Sequence, residues 1–90
     1  MPRHAPAPPG SITLDRLPTH VRAVIRCVHA PTAQAQALQR RLQELGFVPG
    51  ARVEVLRRLL LGRGPLAVRI GGTTFAMRPF ESAMIEVTPA

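Results

Sequence analysis

The sequence predicts a mainly β domain: a small, partly open barrel of about five short strands with one inserted α-helix over about residues 33–45. Three observations carry this. Apolar residues recur at helical spacing in one stretch only, ending at Gly46. The second half is a succession of short, alternating, β-branched segments punctuated by glycine turns. Ninety residues leave room for a single core, burying roughly 60–65% of the unfolded chain's surface.

Residues 1–11 read as a disordered Pro-rich tail. Its first ten residues hold four prolines and no large apolar side chain beyond Met1. No apolar run suits a secretory leader, and none approaches the ~18 residues of a membrane span. The folded domain is expected over residues 12–88. Its first long strand is Val21 to Val28, with Ala23, Ile25 and Cys27 on one face and Arg22, Val24, Arg26 and Val28 on the other. Thr32, after Pro31, is a candidate helix N-cap. On the helix, Leu38, Leu42 and Leu45 form the apolar stripe, with Gln39, Arg40, Gln43 and Glu44 turned away from it.

The helix stop is the most specific local pattern. Gly46 can adopt a positive φ without a Cβ clash, which lets Phe47 fold back on Leu42 as in a Schellman cap. Val48-Pro49-Gly50 then makes a turn, proline presetting the first dihedral and glycine accepting the second. Strand Arg52 to Leu59 turns through Gly62-Arg63-Gly64-Pro65 into strand Leu66 to Ile70. Gly71-Gly72 is a two-residue hairpin loop, Thr73 to Met77 returns, and Glu81-Ser82-Ala83 makes one helical turn before Met84 to Val87 closes the sheet. Phe47, Phe75 and Phe80 are assigned to the core.

All 12 cationic side chains are arginine, against five carboxylates, giving a formal charge of +7. Nucleic acid, an anionic membrane surface or an acidic protein face would each suit this charge. The arginines are dispersed, no run exceeds two, and Trp and Tyr are absent, so nucleic acid is not the expected partner. Without lysine there is no P-loop and no Schiff-base nucleophile, and Asp15 is the only aspartate, so no catalytic residue is assigned. The lone Cys27 cannot form an internal disulfide, in keeping with a reducing compartment.

Two local features remain. Cys27 and His29, two apart, can project to the same side of a strand, with His20 nearby. Two or three donors fall short of a structural zinc set, so no metal or cofactor is required; a transition metal held adventitiously, or bridging two copies, is the alternative. The other feature is Leu59-Leu60-Leu61 beside Arg57, Arg58 and Arg63. It reads either as leucines folded over an open barrel end or as an apolar docking tip rimmed by arginine.

The residues Arg41-Leu42 through Leu45-Gly46-Phe47-Val48-Pro49-Gly50 resemble the central signature of the FeoA family, small proteins that accompany the ferrous-iron permease FeoB. The likeness extends over most of the chain. It includes Leu14-Asp-Arg-Leu17-Pro18, Val21 to Val28, the Gly62 to Pro65 turn, Gly71-Gly72, Phe75-Ala-Met-Arg78 and Ile85-Glu-Val87. His20 stands where the family usually has a turn glycine, Leu60 where proline is common, and Arg63-Gly64 where an acidic residue is common.

The resemblance implies an SH3-like barrel and a cytoplasmic, non-catalytic accessory of ferrous iron uptake. Its partner would be the permease's cytoplasmic domain, at the inner-membrane surface, with a homodimer left open. Arg57, Arg58, Leu60, Leu61 and Arg63 are the expected docking residues. An effect on GTP hydrolysis through an arginine supplied in trans is the mechanistic extension. The alternative reading is a basic nucleic-acid-binding or metal-linked regulatory module. SH3-like barrels also end metal-dependent repressors, but no helix-turn-helix fits into the first 20 residues.

Overall fold

The computed structural model describes residues 10–60 and 63–90. Its strands form one antiparallel sheet in the order β1-β6-β2-β3-β4-β5. They are β1 (Ile12–Thr13), β2 (Arg22–Val28), β3 (Arg52–Arg58), β4 (Leu66–Ile70), β5 (Thr73–Met77) and β6 (Ile85–Pro89). The helix is a 3-10 turn, Ala33–Ala35, continuing as α1 (Gln36–Glu44), and a single turn α2 (Pro79–Ser82) precedes β6. The expected β4, β5 and inserted helix fall where periodicity placed them. β1 is an addition: two residues paired with Val87 and Glu86 are too short to show any alternation.

The junction between α1 and β3 forms as its residues dictate. The Phe47 N–H donates to the Leu42 carbonyl and the Gly46 N–H to that of Gln43, both at 3.1 Å, the paired bonds of a Schellman cap. Gly46 takes φ 117° and Gly50 φ 90°, and the Ala51 N–H closes the Val48 turn at 3.0 Å. That turn is tied to β2 by Gly50 N–H to Ile25 carbonyl and Ile25 N–H to Ala51 carbonyl, both 2.8 Å. A Cβ on Gly50 would meet nothing within 4 Å, so Gly50→Ala isolates the backbone penalty. It should cost about 1–2 kcal/mol, read as a lowered thermal midpoint with an unchanged circular dichroism spectrum.

Among the described residues, sixteen apolar ones make the core, with Leu14, Leu17, Ala23, Phe47, Val55, Val68, Ile85 and Val87 fully buried. Phe47 meets Phe75 with ring centroids 5.7 Å apart at 54°. Two bulges, between Ile25 and Cys27 and between Val55 and Arg57, bend the sheet around this core. The first also resets side-chain alternation. Ala23 and Ile25 face inward, but beyond the bulge Val28 is the buried residue, and Cys27 is only half-buried rather than sharing their face.

Three other expectations are corrected. Leu45 is 41% exposed, because it lies past Leu42 on the flank of the stripe and borders a shallow groove with Phe75. Phe80 is 55% exposed: one helical turn sets Ser82 inward and the residue two before it outward. Thr32 holds the N-cap position in extended backbone, but its hydroxyl accepts no capping bond. Residues 1–9 of the tail expected over 1–11, with His4, and the positions Leu61 and Gly62 lie outside the described residues.

Candidate functional site

Two places gather the chemistry singled out in the sequence. The first is the tip joining β3 to β4. The Leu59 N–H donates to the Pro65 carbonyl, and the N–H groups of Arg63 and Gly64 return to the carbonyls of Leu60 and Leu59, each at 3.1 Å. Leu60 carries φ 52°, a left-handed conformation that an L-residue with a bulky side chain seldom adopts, and is 75% exposed. Leu59 is 44% exposed, and Arg57 and Arg63 are exposed as well. Arg58 differs: its guanidinium donates to the Leu17 carbonyl, so it fastens β3 to the segment after β1 rather than standing free.

The second place is the end of β2 against β6. Continuing the register of Ala23 with Pro89 and Ile25 with Val87 would set Cys27 opposite Ile85; the bulge moves it opposite Glu86. The Cys27 Sγ lies 3.4 Å from His29 Nε2, and its S–H donates to Glu86 Oε1 at 3.5 Å. Donor atoms of all three residues lie within 4.8 Å of one another, each residue half-buried. The His29 N–H donates to the Met84 carbonyl at 2.7 Å and Gln39 Nε2 to the Val28 carbonyl at 2.8 Å, which fixes the strand end that carries the cluster. Burial first, then the hydrogen bond and charge of Glu86, push the Cys27 thiol above its ordinary value, and Arg26 opposes them.

His20 does not join this cluster. It sits at φ 66° where a turn is needed, its N–H donating to the Val55 carbonyl at 2.8 Å and its Nδ1 3.7 Å from Glu54. Glu54 in turn accepts from Arg69 at 2.9 Å, which holds its carboxyl below the ordinary range. Arg22 and Arg52 line the same open cleft as Glu54 and Arg69. Glu86 was missed from the sequence because its partnership with Cys27 exists only through strand pairing across 59 residues and a bulge.

The FeoA domain family model matches residues 12–89. Among solved structures, the chain is similar to *Stenotrophomonas maltophilia* FeoA complexed with zinc, described as an SH3-domain protein and candidate ferrous iron transport activating factor. The identity is 41%, over 84% of this chain and 88% of that one, at a TM-score of 0.77. It is similar also to FeoA from *Chlorobium tepidum*, at 36% identity over 87% of this chain and 70% of that one, TM-score 0.73. A manganese-dependent transcriptional repressor matches at 20% identity over 94% of this chain and 44% of the repressor, TM-score 0.75, a likeness of fold alone. No curated protein matches. The SH3-like architecture, the signature through Gly46 and Gly50 and the near-complete match agree, and the chain belongs to the FeoA domain family.

Proposed function

We propose that this chain is a non-catalytic, cytoplasmic accessory of bacterial ferrous iron uptake that docks on the cytoplasmic part of a FeoB-type permease through the hairpin tip centred on Leu60. Family membership and relatives named for ferrous iron transport support the broader role. No helix among the described residues is long and apolar enough to cross a membrane, so a chain of this kind would act on transport through a partner.

Leu60 carries the docking surface. The contiguous exposed leucines Leu59 and Leu60 are a solubility liability, and a left-handed leucine costs roughly 1–2 kcal/mol; both penalties meet at Leu60. Strain retained at an exposed apolar position supports a contact role for Leu60. Arg57 and Arg63 rim the leucine, giving an apolar anchor between cations, and the net charge of +7 steers it toward an acidic face. Of the arginines at the tip, Arg57 and Arg63 are the ones available to reach a GTP-hydrolysing partner, since Arg58 is bound to Leu17.

In cells lacking this chain, uptake of radiolabelled ferrous iron should be low, restored by the wild-type gene and not by Leu60→Asn expressed at the same level. Equal uptake with and without the chain would remove it from transport.

A further inference from the structure

We propose that Cys27, His29 and Glu86 form a three-ligand site for a divalent transition ion of the zinc class, with the fourth coordination position left open. The inference rests on this chain's own geometry and stands apart from the docking surface, which lies at the β3–β4 tip.

The donor set is a thiol, an imidazole and a carboxylate, the types that zinc accepts together. Two of the three donor–donor separations fit as well. With metal–sulfur near 2.3 Å and metal–nitrogen near 2.0–2.1 Å, the edges of a tetrahedral site are about 3.5 Å long. The observed separations are 3.4 Å for sulfur to His29 Nε2 and 3.5 Å for sulfur to Glu86 Oε1, and the three donors lie within 4.8 Å of one another. An ion would replace the thiol proton that now bridges sulfur and carboxylate, the proton leaving to solvent.

The backbone around the cluster is built to present it. An unbroken β2 would pair Cys27 with Ile85, the register set by Ala23 through Ile25; the bulge brings it opposite Glu86. Bulges re-aim side chains in this way at functional positions. His29, two residues beyond Cys27, is anchored by its N–H to Met84 on the segment leading into β6, so both strands that carry ligands are held at the site. The ligands are half-buried, which shields the ion while leaving one side open to water or to a donor from another molecule. Three ligands and an open position define a site that exchanges a ligand rather than a closed structural one.

Cobalt(II) titration tests this on the full-length chain, because thiolate ligation gives a near-ultraviolet charge-transfer band and tetrahedral geometry gives intense visible bands. The expected result is one ion per chain with both features, displaced by zinc. Cys27→Ala should abolish the charge-transfer band, while His29→Ala and Glu86→Gln should weaken affinity by more than the roughly 10–100-fold typical of outer-shell changes. His20→Ala should change neither band nor affinity, since His20 sits beside Glu54 and Val55. Metal-free melting curves check that each variant is folded; none of the three ligands belongs to the core. A band that survives Cys27→Ala in folded protein, the absence of any charge-transfer band in the wild type, or one ion per two chains would each overturn the proposal.

Discussion

Phe47→Ala should destabilise the domain by about 3–5 kcal/mol and lower its melting temperature by roughly 15 °C or more. Phe47 is fully buried, is the largest such side chain, and joins two parts of the molecule. Its ring packs tilted against Phe75 on β5 and sits in the same core as Leu42 on α1, so it ties the helix to the far edge of the sheet. Its backbone N–H closes the helix cap at Leu42, and alanine keeps that bond. The loss therefore reports packing and cavity formation, not capping. Since a domain of this size holds roughly 5–15 kcal/mol in total, the variant should lose from about a fifth of its stability to nearly all of it. A shift below about 5 °C would mean that the ring is not the keystone of the core.

Leu60→Asn should do the opposite: leave stability unchanged or raise it by up to about 1 kcal/mol, while weakening docking by about 2 kcal/mol or more, some 30-fold. Asparagine tolerates the left-handed region in which Leu60 is held at φ 52°, and little apolar burial is lost from a side chain 75% exposed. What folded burial it has is local: a Cβ on Gly64 would come within 2.9 Å of Leu60 Cδ1. A folded-state role for the leucine would appear as destabilisation in melting experiments. A docking role appears only when the partner is present, and the two measurements together separate these accounts.

Much of the fold was legible because the decisive signals were local. Gly46 and Phe47 specify the cap, Pro49 and Gly50 the turn, and alternation in β4 and β5 fixes which residues face inward. What escaped depended on pairing or on a shift of phase. β1 has two residues and exists only because β6 offers an edge. The bulge at Arg26 turns Cys27 away from the face its spacing assigned and brings it to Glu86. Phe80 was taken for core on hydrophobicity, but Pro79 starts a single helical turn and fixes the phase that buries Ser82 instead. At the tip, composition leaves open leucines folded over a barrel end or an apolar anchor among arginines, and only the folded chain reveals that Arg58 is committed to Leu17 while Leu60 stands out under strain.

The most direct measurement is a calorimetric titration of this protein into the purified cytoplasmic domain of the proposed partner, a FeoB-type permease, at physiological salt, with GTP hydrolysis followed on the same samples. Saturable micromolar binding is expected, weakened at least about 30-fold by Leu60→Asn, with any change in hydrolysis rate lost in Arg57→Ala or Arg63→Ala and retained in a folded Arg58→Ala. No binding in either nucleotide state, or binding indifferent to Leu60, would contradict docking through the tip.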